Sequence, residues 1–123
     1  MLEIVALVLL AQQPQLPVAE GVASYYTVAS SSTITASGET LRDDLLTCAM
    51  RDGVFGDYYL VVSETGKSVV CRLNDRGPYT RGRVIDLSEA AMEALSLSRN
   101  DGLLNVRVFH LGPEPARPPN LLF

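Results

Sequence analysis

The chain has 123 residues, enough for one hydrophobic core and too few for two. Its formal net charge is −4, with 47% apolar and 20% charged residues, which is ordinary for a globular domain. A nucleic-acid partner demands a basic excess to neutralise phosphates, and an anionic membrane surface demands the same, so both classes are excluded; a largely uncharged polymer stays compatible.

The chain opens on its most apolar stretch, MLEIVALVLLA. The run over residues 4–11 is too short to span a bilayer, which takes about 20 apolar residues. Its length suits the apolar centre of a signal peptide with Ala11 near the cleavage point, although Glu3 stands where such a signal carries Lys or Arg. An ordered strand or helix packed on the body is the other reading. QQPQLPV follows and reads as an extended arm, so residues 1–20 form an apolar segment and linker, and the folded body begins near Gly21.

From there the pattern is β. GVASYYTV alternates Val22, Ser24 and Tyr26 against Ala23 and Tyr25. LLTCAM places Leu46, Cys48 and Met50 on one side. DYYLVV, SETG and KSVVCRL make a hairpin signature, two β-branched and aromatic runs around a Gly-containing turn. One helix is expected, SEAAMEALS from Ser88, with Ala91, Met92 and Leu95 at helical spacing and Asp86 and Glu89 in a D-x-x-E cap. VRVFHL is a last strand, carrying the single histidine, His110. Residues 112–123 hold Pro113, Pro115, Pro118 and Pro119, which forbids a helix or central strand. This tail either lies along the body or reaches a protein partner with Leu121, Leu122 and Phe123. Many short strands with one helix indicate a small closed barrel. Cys48 and Cys71 lie in strand-like runs; a bridge between them would contribute about 3 kcal/mol and agree with export, and two buried reduced thiols are the other reading.

The most specific stretch is SVVCRLNDRGPYTRGRVIDLSEAA, residues 68–91. With GVASYY, TASGE, LTCA and GLLNVRVFHLG in order, it resembles the rare lipoprotein A family, whose pattern has G-x-A-S-W-Y, T-A-N-G-E, L-T-A-A, N-D-R-G-P and I-D-L-S. The resemblance covers residues 21–111 and implies a mainly β fold, a small six-stranded double-psi β-barrel with one short helix, related to expansin-like barrels. It also implies an extracytoplasmic protein, or a virion-associated one if phage-encoded, that acts on peptidoglycan glycan strands without a metal or cofactor. Better-studied members cleave peptide-free glycan by lytic transglycosylation, leaving a 1,6-anhydro end. Their three polar cleft groups fall on Glu39, on position 50 and on Asp75; the histidine of that middle position is Met50 here.

In lytic transglycosylation the sugar's own C6 hydroxyl attacks the anomeric carbon, so one acid/base suffices where hydrolysis usually needs two carboxyl groups. Asp75 is the expected acid/base and Glu39 its assistant, though Glu39 also reads as a solvated turn residue. Arg76 would keep Asp75 charged if its side chain lay within about 4–6 Å, or it faces away by strand alternation. Met50 supplies no proton donor, so Met50→His is expected to raise activity. His110 reads as a packed or surface histidine. Asp86 reads first as the helix cap and second as a substrate-contacting residue, because related barrels place a cleft Asp in a similar context. Tyr25 and Tyr26 either stack on sugar faces or plug the barrel, and Arg81 and Arg83 line a rim or grip acetyl and lactyl oxygens. Two functions remain open: a glycan-cleaving enzyme, or a catalytically impaired glycan-binding or assembly module.

Overall fold

In the computed structural model residues 15–31, 33–96 and 102–115 are described, and the apolar opening and the end of the proline-rich tail lie outside them. Six strands follow in chain order: β1 Ala19–Tyr25, β2 Thr47–Ala49, β3 Tyr58–Ser63, β4 Ser68–Asp75, β5 Arg83–Leu87 and β6 Leu104–Gly112. They close into a barrel in the order β1-β5-β2-β4-β3-β6, with β6 pairing back onto β1. β1 runs parallel to β5 and β2 parallel to β4, and the other four pairs are antiparallel. This is the mainly β, six-stranded barrel expected from the sequence.

The hairpin forms where it is expected. Val61 faces Val69 and Ser63 N–H donates to Lys67 O at 2.8 Å across the turn. Alternation sends Cys48, Val61, Cys71, Leu73, Ile85, Leu87 and Val108 into the barrel, all 0% exposed. Each such aliphatic side chain contributes about 1.5–3 kcal/mol by leaving water. On β3 and β6 the other face is apolar as well, with Leu60, Val62 and Phe109 in a second buried cluster against Val70 and Leu111.

Several expectations are revised. The barrel runs from Ala19 to Gly112, slightly beyond the expected body at both ends. The basic loop before the helix contains β5, whose RVIDL has no clear alternation to the eye because Arg83 and Val84 are both half-buried. Leu46 is 46% exposed although Cys48 and Met50 are buried, because β2 begins only at Thr47. Asp86 is not the helix cap. The helix, α1 Glu89–Leu95, is capped by Ser88, whose hydroxyl accepts from Ala91 N–H and donates to Leu45 O at 2.6 Å. That second bond ties the helix start to the segment leading into β2, while Ala91, Met92 and Leu95 pack on the core as their spacing predicts. Cys48 and Cys71 are free thiols, buried side by side in neighbouring strands.

Candidate functional site

The chemistry gathers on the outer face of β5, β2 and β4. Ala49 of β2 stands opposite Asp86 on one side and Asp75 on the other. Asp86 points outward because its neighbours Ile85 and Leu87 fill the core. Asp75 needs a further device. Between Cys48 and Ala49 the partner on β4 jumps from Leu73 to Asp75, a bulge that skips Asn74. Simple alternation would carry Asp75 inward with Cys71 and Leu73; the extra residue turns it out beside Ala49. Two strand spacings separate the acidic backbones, about 10 Å. The small side chain of Ala49 forms the floor between the two carboxyl groups.

The two acids live in different surroundings. Ser24 Oγ donates to Asp86 Oδ1 at 3.0 Å. Burial pushes the Asp86 carboxyl above its ordinary value, more than the Ser24 bond and the Arg83 charge pull it down, and the Asp75 charge adds to the rise. Asp75 Oδ1 instead accepts two main-chain N–H groups, from Ala36 at 2.8 Å and Arg76 at 2.9 Å. Tyr26 lies close enough for both carboxylates to act on it, and its hydroxyl pairs with Thr47 Oγ1 at 2.8 Å. Burial, chiefly, drives the Tyr26 phenol far above its ordinary value, so it stays protonated.

The other expected residues divide. Glu39 is gripped by Arg72 through both carboxylate oxygens, at 2.5 and 2.8 Å, and this pairing holds its carboxyl below the usual range. Such a group is a poor proton donor. The Arg76 guanidinium turns away from Asp75: it donates to Gly53 O at 2.7 Å and lies 4.1 Å above the Phe55 ring. Arg83 acts on Asp86 through its charge, and Arg81 is exposed on the rim. Tyr25 is 37% exposed at the end of β1, whereas Tyr26, at 6%, is too buried to offer its ring face. Met50 is 8% exposed and packs in the barrel core, so position 50 brings no side chain to the shelf.

Four residues were not singled out by the sequence. Ser24 and Thr47 bond to Asp86 and Tyr26, and only the register reveals that. Asn74 is 3% exposed, and its side-chain oxygen has no partner among the described residues. Tyr79 is 76% exposed, and its ring lies back over Gly77, where a Cβ would stand 3.7 Å from it. The motif N-D-R-G-P-Y was the available signal for both. Among the described residues no cluster of three or more His, Cys, Asp or Glu side chains could hold a metal.

Similarity to known proteins follows the barrel. A family profile described as lytic transglycolase matches residues 18–108. The chain is 42% identical over 96 residues to a probable endolytic peptidoglycan transglycosylase RlpA of Nostoc, covering 76% of this chain and 26% of that protein. It is 44% identical over 87 residues to the Synechocystis protein of the same name, covering 70% and 27%. The chain thus spans about a quarter of the length of these relatives. Among solved structures, a Clavibacter michiganensis expansin in complex with cellohexaose superposes with a TM-score of 0.59 at 20% identity, over 75% of this chain and 49% of that one. A Streptomyces papain inhibitor gives 0.60 at 20% identity, over 75% and 92%. At such identity these two share the fold alone.

Proposed function

Since the chain belongs to the lytic transglycolase family of double-psi β-barrels, we propose that its outer shelf binds peptidoglycan glycan strands and cleaves them by lytic transglycosylation. The observation that carries this reading is the pair of unequal carboxyl groups, Asp75 and Asp86, on either side of Ala49. A carboxyl pushed up by burial, near a second one held by main-chain N–H groups, suits an acid and its partner base.

Asp86 is the proton donor in this scheme. Its raised carboxyl keeps a proton to higher pH and delivers it to the glycosidic oxygen as the bond to the anomeric carbon breaks. The C6 hydroxyl oxygen of the same sugar closes on that carbon, and its proton passes to the Asp75 carboxylate. One proton is given and one is taken, so no water is consumed and a 1,6-anhydro end results. Asp75 is held for its part by the N–H groups of Ala36 and Arg76. Glu39 serves at a distance, fixing Arg72 beside the 35–39 turn that supplies one of those N–H groups. Tyr25 and Tyr79 offer exposed rings for sugar faces. Work on such a polymer places the protein outside the cytoplasm.

A second reading, a shelf that holds glycan without cutting it, is favoured by Met50 alone, where relatives of this pattern carry a histidine. Incubation with peptide-free glycan strands decides between them. Anhydro-ended fragments from the unmodified protein, lost in Asp86→Asn and in Asp75→Asn, support cleavage; retention of glycan on the protein with no fragments supports the holding module.

A further inference from the structure

A second constellation lies around the corner from the shelf, at the open end of the barrel. A cavity of about 400 Å³ is walled there by Val18, Ala19, Met50, Val54 and Val84. Its polar lining is Arg51, Asp52, Asp57, Tyr59 and His110. Cavities of this size take small molecules, with apolar walls for the body of the ligand and a few polar groups to orient it.

Three features mark the mouth as built to receive something. Tyr59 is 4% exposed overall, and it lines the cavity. It reaches over Gly53, where a Cβ would stand 2.5 Å from the phenol oxygen, so the chain keeps that place open with a glycine at φ +108. The hydroxyl opens into the cavity with no protein partner among the described residues, so it is free to accept from a ligand. Secondly, His110 Nε2 pairs with Asp57 Oδ2 at 2.7 Å, and the imidazole packs on the Tyr59 ring with centroids 5.1 Å apart. The histidine thereby fixes the carboxylate that borders the same cavity. Thirdly, the lining is rich in acceptors: two carboxylates and a phenol oxygen stand against one guanidinium, and His110 pairs with one of those carboxylates.

We propose that the barrel mouth is a binding site for a small aliphatic amine, of the size of a lysine side chain. Its methylenes lie along Val18, Met50, Val54 and Val84, and its ammonium donates to Asp57, Asp52 and Tyr59 Oη. An ammonium has three donors and no acceptor, which matches this lining. The alkyl stem accounts for the apolar wall, as in side chains that bury a stem while placing their charge among polar groups. The site is distinct from the shelf in its side chains, since none of Ser24, Ala49, Asp75 and Asp86 lines it.

The test is a titration of the 15N-labelled protein with pentylammonium chloride, 1-pentanol and glucose at fixed ionic strength, read by amide shifts. Pentylammonium is expected to move the amides of Met50, Gly53, Tyr59 and His110, and to bind at least about tenfold more tightly than the alcohol, which lacks the charge. Asp57→Asn is expected to weaken the amine about tenfold and Tyr59→Phe about threefold, while Glu64→Gln, an exposed carboxylate elsewhere, changes nothing. Equal binding of pentanol, stronger binding of glucose, equal loss in Glu64→Gln, or no movement of the mouth amides would each overturn the proposal. Should Asp57→Asn not fold, Tyr59→Phe and the three-ligand series still decide it. Neither readout depends on glycan cleavage, so the reading of the shelf stands or falls separately.

Discussion

The shelf and the mouth are made from the same strands, one residue out of step. β2 gives Ala49 to the shelf, and the next residue, Met50, goes to the mouth. β4 gives Leu73 to the core and then, after one extra residue, Asp75 to the shelf. The shelf acids have their surroundings supplied: Asp86 has Ser24, and Asp75 has two main-chain N–H groups. In the mouth a hydroxyl without a protein partner among the described residues faces the cavity, and the His110–Asp57 hydrogen bond is set beside an apolar wall. On the proposed readings the outer face serves proton traffic on a long polymer, and the end of the barrel serves capture of something small. It also follows that a substitution at position 50 speaks to the mouth before it speaks to the shelf.

The largest expected effect is at Asp86. Asp86→Asn keeps shape and hydrogen bonding but cannot give a proton, and is expected to lower glycan cleavage by at least about 10²-fold. Stability should move the other way. The folded-state value of Asp86 is raised, so its contribution is full below the ordinary carboxylate range and is lost as pH rises through the raised value. As pH rises past the raised value the half-buried carboxyl ionises at a cost, and Asp86→Asn removes that cost. The Tm of Asp86→Asn should gain on that of the unmodified protein as pH is raised. A variant both inactive and less stable would mean that Asp86 is a structural residue and that the shelf has been assigned the wrong acid.

Next comes Met50→His. The sequence resemblance leads one to expect a gain of activity, since the family places an imidazole there. Met50 is packed between the core and the mouth, however, and the imidazole would replace a thioether on the core side of that wall. Burying a polar group without a partner costs about 1–3 kcal/mol, so the expected outcome is a lower denaturant midpoint with cleavage little changed. A gain in cleavage of more than about tenfold would show that the imidazole reaches the shelf acids, and that shelf and mouth act as one site.

What the sequence allowed and what it hid follow from the same geometry. The strands, the hairpin and the apolar face of α1 were legible because period-2 and helical patterns report burial directly. Asp75 was legible through its motif, but its direction was not, because a bulge that skips Asn74 leaves no mark in the alternation. Asp86 reads as a cap in the sequence since D-x-x-E and the overlapping Ser88 both suit a helix start, and only the backbone shows that Asp86 is still in β5. Ser24 and Thr47 could not be read at all, as their partners are 62 and 21 residues away. The cysteines illustrate a pairing that was half visible. Cys48 and Cys71 are neighbours as expected, yet they are free thiols, and burial raises the Cys48 thiol well above its ordinary value. Alkylating reagent is expected to leave both unmodified in the folded protein and to label both after denaturation without reductant; failure to label the denatured chain would reveal a bridge.

A smaller effect is expected from Ser24→Ala. The Ser24 bond pulls the Asp86 value down, so its removal lets that value rise further. The cleavage rate of an acid-catalysed reaction falls as pH rises through the donor's value, and this alkaline limb should therefore shift upward in the variant. An unshifted limb, with only a uniform loss of rate, would mean that the limb reports some group other than Asp86.

The smallest expected effect belongs to Glu39, where the shelf meets the 35–39 turn. Its bidentate pair with Arg72 is well formed, but the two side chains are 41% and 25% exposed, so solvent screens most of the attraction. Glu39→Gln is expected to cost about 0.5–1 kcal/mol, and less in high salt. The sign with pH is fixed by the direction of the shift. The folded-state value lies below the ordinary 4.5, so the pair contributes above that ordinary value and its contribution is lost as pH falls through the depressed one. The gap in Tm between Glu39→Gln and the unmodified protein should be present at pH 7 and close as the solution is acidified through that range. Cleavage should fall only as far as the turn loosens its N–H from Asp75, a few-fold at most. If cleavage instead drops as steeply as in Asp86→Asn while stability barely changes, Glu39 must touch the substrate, and the working surface of the shelf extends past Arg72 to include it.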